Sequence, residues 1–513
     1  MQTSLGCHIL GAALPHSDTS DPATSEAGVR KRVFFKPPQS DPKLLKGLRK
    51  FVRKYVRKTY VRLAPDTDLS TDTWLANTDY PEWRKEELRA IREEALDSVL
   101  KKQTRNKSFI KDECYGEFKH SRTINGREDP SKIFIGPVIK QIESVVYQDP
   151  AFIKHVPVKD RPEYISKLYA PGDRIFVSDY SSFESLFVKE LMMACEQELL
   201  KWMVSALPNR NELEEWMEST WTGENVLVFK HFTAKVKATR MSGDMITSLC
   251  NGFSNLMFVK YLCSLKGADC RGVVEGDDGL YYVRGEPPTI KDFESLGLKI
   301  KLQEIRAAEI GSFCGMIFDP DEKSIICDAM KQMAKFGWGS AQYRHSSERK
   351  RKVLIRSKSL SLAYQYSGCP ILTSLAKYGL RVTRGIRVDE FLARQRNVYQ
   401  RELARDMPRD EEGIHWKEVG LRTRELYETL YGVCVSDQLL IEQYLDGLNS
   451  IEPLDHPAII RNCTDPWRLY YELYVGTFYE EDCDHPYPMW HEYDGFTPEF
   501  KRKGHPNDPA SKV

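Results

Sequence analysis

The sequence predicts an α+β fold in which antiparallel strands pack with helices, and three observations carry that prediction. Val273-Val274 and Leu280-Tyr281-Tyr282-Val283 flank Glu275-Gly276-Asp277-Asp278-Gly279. This is the pattern of a tight β-hairpin, because Gly and Asp tolerate the backbone that a short turn demands. Ile175-Phe176-Val177 reads as an apolar strand ending near Asp179, and a helix-like run follows over Leu186 to Leu200. Lys43 to Arg62 places Leu44, Leu48, Phe51, Val52, Tyr55 and Val56 at helical spacing.

At 513 residues, with 41% hydrophobic and 29% charged residues, the chain can bury a large core and is not of disordered composition. Its formal net charge is +1, so contacts with nucleic acid must come from local clusters. No run of 18 apolar residues exists to span a membrane as a helix. Met1 to Val29 is rich in Ser, Thr, Ala and Asp, which predicts a flexible tail and not a signal peptide. Twelve Cys without a Cys-x-x-Cys pair point to free thiols in a reducing compartment.

In chain order, nine Lys or Arg surround the apolar stripe of the helix over Lys43 to Arg62. Such a helix binds RNA phosphates, lies on a membrane, or packs on its own protein with a solvated basic face. Pro81 opens a second helix, with Leu88, Ile91, Ala95 and Val99 as its core stripe. Between Phe109 and Tyr147, Lys111, Lys119, Arg122 and Arg127 mix with the β-formers Phe118, Thr123 and Ile124. Strands that present ammonium and guanidinium groups on one face grip triphosphates, although a solvated basic hairpin gives the same pattern.

Asp179 ends the next strand and Glu184 follows it. Acidic groups at a strand-to-helix junction open into clefts. They also serve as a helix N-cap and a first-turn acid. In Arg240 to Asn255, Ser242-Gly243 gives a loop and a helix begins near Asp244. Thr247 and Asn251, four apart, then share one helical face. Their hydroxyl and amide groups suit hydrogen bonds to a sugar hydroxyl, or ordinary capping. At the hairpin tip the adjacent Asp277 and Asp278 repel each other. Divalent cations relieve such repulsion; a fully solvated turn does so as well.

Taken in order, Asp179-x4-Glu184, Ser242-Gly243-x3-Thr247-x3-Asn251 and Gly276-Asp277-Asp278 resemble motifs A, B and C of viral RNA-dependent RNA polymerases. The flavour is that of the tombusvirus-like and flavivirus-like lineages of positive-strand viruses. Lys111, Lys119, Arg122, Ile124 and Arg127 resemble motif F. Phe293-x2-Leu296-Gly297-Leu298-Lys299-x-Lys301 resembles motif D, and Phe313-Cys314-Gly315 resembles the motif E turn. The resemblance covers about Phe109 to Phe318. Glu184 departs from the family, which usually carries Asp there.

The resemblance implies a right hand of fingers, palm and thumb, its palm an antiparallel sheet flanked by helices. The implied division is a flexible tail over 1–32, fingers over 33–172, palm over 173–207 and a fingers insertion over 208–239. Palm resumes over 240–330, the thumb follows over 331–466 and an extension over 467–513. It implies Asp179, Asp277 and Asp278 as ligands of two Mg²⁺ (or Mn²⁺) ions. Lys111, Lys119, Arg122, Arg127, Glu184, Ser242, Gly243, Thr247 and Asn251 would bind nucleotide, and Lys299 or Lys301 would be the general acid. The partners implied are template and nascent RNA, NTPs and other viral replication proteins. Membrane association would be indirect or through the basic helix, placing the chain in host cytoplasm at membrane-associated replication complexes. A thumb would grip duplex RNA with Arg344, Arg349 to Lys352, Arg356 and Lys358, and with Arg381, Arg384, Arg387, Arg394 and Arg396. Cys483, His485 and His491 fit no standard zinc spacing. The rival readings are a reverse transcriptase, which selects deoxynucleotides, and a catalytically silent RNA-binding subunit.

Overall fold

Four antiparallel strands, in the order β7-β8-β4-β9, form the sheet around which the molecule is built. In the computed structural model, residues 2–12, 17–94, 104–115, 119–305, 312–319, 322–393, 407–463 and 501–502 are described. Strands β7 (Asp269–Glu275) and β8 (Asp278–Arg284) are the arms of the expected hairpin. Their register pairs Glu275 with Asp278 and leaves Gly276-Asp277 as a two-residue turn. Gly276 carries φ +61° and Asp277 has no positive φ. Glycine therefore occupies the one turn position that needs the left-handed region. Strand β4 (Arg174–Tyr180) pairs with β8 as far as Ser178–Gly279, so Asp179 and Asp278 stand one step beyond the ladder's end. Strand β9 (Ile300–Ile305) pairs with β4 on its other side.

The sheet separates two hydrophobic cores, which explains its near-continuous apolar runs. Ile175, Val177, Leu280 and Tyr282 face one core. Phe176, Tyr180, Tyr281 and Val283 alternate onto the other. Fully burying each such side chain stabilises by about 1.5–3 kcal/mol. The second core is closed by three helices, α2 (Pro42–Thr59), α3 (Asp129–Val146) and α5 (Thr247–Leu265). It also includes α4 (Glu196–Val204). The first is closed by helices α6 (Ala329–Phe336), α7 (Glu348–Tyr366) and α8 (Leu372–Val382). The small antiparallel sheet β10 (Ser312–Phe313), β11 (Met316–Phe318) and β12 (Ile325–Ile326) joins them there.

A five-stranded sheet stands apart, in the order β14-β6-β5-β2-β3. Its members are β2 (Arg105–Ile110), β3 (Thr123–Arg127), β5 (Glu224–Val228), β6 (Phe232–Lys237) and β14 (Lys501–Arg502). Only β2 and β5 run parallel.

Several expectations are corrected. The first 32 residues are not a free tail. Strand β1 (Gln2–Ser4) pairs with β13 (Trp338–Ser340), and Leu5, Cys7 and Ile9 are buried. Their alternation is that of a strand, too short to stand out from the polar residues around it. Helix α1 (Pro22–Arg32) packs Val29 against Leu227, Phe232 and Ala234 of the five-stranded sheet. Helix α3 was not expected within the stretch from Phe109 to Tyr147. It carries Gly136-Pro137 mid-helix, and a Cβ on Gly136 would lie 2.5 Å from the Trp74 ring. The helix-like run after Asp179 is broken: a 3₁₀ turn covers Phe183–Leu186, and helices follow over Lys189–Ala194 and α4.

The second helix covers Glu82–Glu94 and buries Leu88. Three of the expected phosphate-gripping cations are turned to internal carbonyls instead. Arg356 donates to the carbonyls of Leu380 and Thr383, and the Lys358 ammonium to those of Lys335, Phe336 and Trp338. Arg381 likewise donates to Leu445 and Leu448. Helix ends leave carbonyls unpaired, and these cations satisfy them. Arg344, Arg349, Arg351, Arg384 and Arg387 are exposed. Ala95, Val99, Phe118, Arg394, Arg396, Cys483, His485 and His491 lie outside the described residues, as does the 467–513 extension apart from β14.

Candidate active site

Three acidic residues meet where the central sheet ends. Asp277 sits at the hairpin tip and Asp278 opens β8, while Asp179 is exposed near the end of β4. The helix N-cap alternative for Asp179 falls, since the residue lies inside a strand and no α-helix begins before Lys189. Although Asp277 keeps an exposed edge, the protein packed around its carboxyl group raises its pKa, and Glu184 and Asp179 raise it further. Burial pushes Asp278 up to about 7, with Asp277, Asp179 and Glu275 adding to the rise. Neighbouring Glu275 is held by Arg161 at 3.1 Å. Cys314, in the left-handed region at φ +55°, brings its sulfur to 3.7 Å from Glu275.

This donor set is all carboxylate oxygen, with like charges raising the pKa of Asp277 and Asp278. That chemistry fits a hard divalent cation, which would remove the repulsion. Among the described residues no group of three His, Cys, Asp or Glu forms a ready cation cage. An open site suits Mg²⁺, which binds through one or two carboxylates and takes its other ligands from water and substrate phosphate.

The second set gathers beside the first. Arg122, Asn125, Ser182, Glu184, Arg240 and Ser242 line one small pocket, together with Arg32 from α1. Strand β3 and the Ser242-Gly243 loop are laid together there. The Asn125 main-chain N–H donates to the Ser242 carbonyl at 2.6 Å, and Gly243 at φ +96° would place a Cβ 2.7 Å from Ile124. Glu184 sits in the 3₁₀ turn that Ser182 enters at φ +54°, so it is not a first-turn acid of an α-helix. Glu113 fastens Lys111 at 3.0 Å and Arg122 at 3.3 Å. Arg122 and Lys119 are exposed, and the positive charge of Arg122 reaches Asp277.

Three of the nucleotide-binding candidates are placed otherwise. Arg127 is buried and donates to Asp244 at 2.7 Å, so it supports the loop from behind instead of lining an approach path. Helix α5 starts at Thr247, not near Asp244, and the Thr247 hydroxyl donates to the Met241 carbonyl at 2.9 Å. The Asn251 carbonyl accepts from Arg240 at 2.8 Å. Arg240 is itself buried, paired with Glu196 and lying 4.4 Å over the Phe187 ring. Of the two candidate general acids, Lys301 is the cross-strand partner of Asp179. Lys299 lies just before β9, where its carbonyl accepts from the Ser181 amide at 3.0 Å.

Sequence reasoning missed Arg32, Arg161, Glu196 and Arg240 as parts of the site. The available signal was a charged residue, Glu196 or Arg240, next to an apolar run or a Gly loop. Its partner, distant in sequence, gave none.

The profile of the family described as viral RNA-dependent RNA polymerase matches residues 131–351. No curated protein matches the chain. The matched region contains Asp179, Glu184, Ser242, Asn251, Asp277, Asp278, Lys299 and Lys301, and begins beyond Lys111, Lys119, Arg122 and Arg127. It identifies the class of protein as a template-directed nucleotidyltransferase. The match supports an RNA-dependent RNA polymerase, and the matched family generally uses divalent metal ions.

Proposed function

We propose that this chain replicates and transcribes the genome of a positive-strand RNA virus of the tombusvirus-like or flavivirus-like lineages, adding NTPs to an RNA 3′ end. The observation that carries the reading is the uncompensated acidic cluster of Asp179, Asp277 and Asp278, set beside the Arg122–Glu184–Ser242 pocket. Asp179 and Asp277 would hold two Mg²⁺ (or Mn²⁺) ions, with Asp278 supporting. When bound, the ions lower the pKa of the 3′-hydroxyl and neutralise the triphosphate and leaving pyrophosphate.

The protein's own part is mainly positioning and charge, as phosphoryl transfer requires. Arg122, Lys111 and Lys119 would meet the triphosphate, ignoring the base. Ser242 and Glu184 would meet the ribose 2′-hydroxyl, with Asn251 acting through Arg240. Lys301, across from Asp179, would hold the proton for the leaving group in preference to Lys299. The central sheet would be the palm, the five-stranded sheet part of the fingers, and α6 to α8 part of the thumb, whose exposed Arg344, Arg349, Arg384 and Arg387 would meet RNA phosphates. Replication proteins and a membrane surface would be further partners, the exposed cations of α2 facing the latter, at replication complexes in host cytoplasm.

The decisive experiment is labelled NTP incorporation on a short primed RNA with Mg²⁺ or Mn²⁺. Robust rNTP addition with poor dNTP addition is expected. A preference for dNTP would make the enzyme a reverse transcriptase, and RNA binding without incorporation would make it a silent subunit.

A further inference from the structure

One buried amide touches both acidic elements of the site from behind. Asn255 lies on α5, one turn beyond Asn251, and is fully buried. Its Nδ2 donates to the main-chain carbonyl of Asp277 at 2.9 Å. Its Oδ1 faces three hydroxyls: Tyr281 at 2.8 Å, Tyr180 at 3.2 Å and Ser178 at 3.3 Å. The orientation of the amide follows from its partners. A main-chain carbonyl only accepts, so nitrogen faces Asp277, and the oxygen faces the groups able to donate.

The identity of those partners is what gives the contact a role. Ser178 and Tyr180 flank Asp179 on either side in β4, and Tyr281 follows Asp278 by three residues in β8. The helix comes close enough to make these bonds because a Cβ on Gly252 would already sit 3.5 Å from the Gly276 amide nitrogen and 3.1 Å from the Phe152 ring. Three donors also exceed the two lone pairs of one carbonyl. Ser178 has the Gly279 carbonyl, at 3.5 Å, as a second acceptor across the same two strands. A buried polar group that loses its partner is destabilised, so each bond resists displacement of the strand that supplies it.

We infer that Asn255 is a positioning residue which fixes the separation between Asp179 and the Asp277–Asp278 turn. The inference rests on the reading of those carboxylates as the catalytic set. Asn255 touches no substrate; it acts through the backbone of the turn and the residues beside Asp179.

The test compares wild type, Asn255→Asp, and the double variant Ser178→Ala/Tyr281→Phe. Asn255→Asp keeps the side chain's shape but turns a lone pair toward the Asp277 carbonyl. Its kcat for NTP addition is expected to fall about 100-fold with the KM for NTP changed less than about threefold, the effect of misplacing reacting groups by roughly 1 Å. Mn²⁺ binding to the RNA-free protein, read from the electron paramagnetic resonance of free Mn²⁺, should weaken by about tenfold. The double variant removes two of the three donors and should lose roughly tenfold in kcat, again without a KM effect; it decides the matter if Asn255→Asp proves unfolded by circular dichroism. A folded variant with wild-type kcat and Mn²⁺ affinity overturns the inference. A raised KM at unchanged kcat does so too, since it would place Asn255 in substrate binding. If wild type incorporates no NTP, the polymerase reading fails instead, and the Mn²⁺ arm still judges Asn255.

Discussion

Helix α5 touches two groups of charged residues, and they are resolved in opposite ways. At one, Ser254 and Asn251 meet Glu196 and Arg240, a carboxylate and a guanidinium whose side chains are 0% and 1% exposed. At the other, Asn255 meets the turn of Asp277 and Asp278, two adjacent carboxylates whose pKa values are raised by the protein packed around them and by neighbouring acids. Removing the charges of Glu196 and Arg240 from water costs several kcal/mol per ion. The first centre sets opposite charges against each other within the protein, with a cation–π contact to Phe187 added. The second does not, and Arg122 is the cation whose field reaches Asp277. A fold able to balance Glu196 leaves Asp277 and Asp278 unbalanced, which is what an added divalent cation would correct.

Breaking the unbalanced centre should have the largest effect on activity. Asp277→Asn and Asp179→Ala are each expected to abolish NTP incorporation while RNA affinity, carried by phosphate contacts, stays within about a factor of two. Asp277→Asn should also melt no lower than wild type without metal, because it removes repulsion. Incorporation near the wild-type rate in either variant would sink the metal assignment.

Breaking the balanced centre should act on stability instead. Arg240→Met leaves Glu196 buried without a counter-charge and should destabilise by about 3–5 kcal/mol in denaturant unfolding. Arg240→Met/Glu196→Leu should recover most of that loss. If it does not, the pair's role is packing with Phe187 and not charge balance.

The pH dependence sharpens the contrast. Asp278 holds its proton to about pH 7 in the folded metal-free protein, against 3.8 for the free carboxyl group. Between those values the folded state binds more protons than the unfolded one. The contribution of Asp278 to stability therefore falls as pH rises through this window, and the full penalty stands above pH 7. A divalent cation displaces that proton, so the rise in melting temperature produced by saturating Mn²⁺ should grow from pH 6 to pH 8. Equal shifts at both pH values would show that Asp278 is not titrating at the ion's site.

The smallest expected effect lies at the pocket between the two centres. Glu184→Ala should reduce discrimination against dATP by about 1–2 kcal/mol in the ratio of kcat/KM for ATP and dATP, since fewer polar groups are stranded when the 2′-hydroxyl is missing. Glu184→Asp should retain the preference. An unchanged ratio in Glu184→Ala would leave Glu184 without a part in sugar selection.

The sequence made local features legible and distant partnerships not. The hairpin at Gly276-Asp277 could be read because its turn chemistry and its apolar arms agree within eleven consecutive residues. The polymerase motifs were legible for the same reason, since each is a short pattern in a fixed order. Helix α3 was hidden by Gly136-Pro137, which punctuate a chain when read locally and here serve the packing of Trp74. Arg356, Lys358 and Arg381 read as cations free to grip RNA phosphates because the carbonyls they cap lie on other turns and elements. Arg127 could not be told from its exposed neighbours Arg122 and Lys119 until Asp244, 117 residues away, came beside it.

Strand β1 has a consequence for the order in which the chain acquires its structure during synthesis. Its partners in β13 follow it by more than 300 residues, and the Ile9 bridge to Leu454 closes later still. At about 5–20 residues per second, the apolar Leu5-x-Cys7-x-Ile9 segment waits roughly 15–90 seconds in the open before its pairing surface exists. Helix α1 can meet the five-stranded sheet sooner, once β5 and β6 have emerged, and would park the segment near its destination in the meantime. A late stitch in this protein is therefore made by residues that left the ribosome long before their partners. Anything that captures them first, such as a chaperone or another copy's open sheet edge, competes directly with completion of the fold.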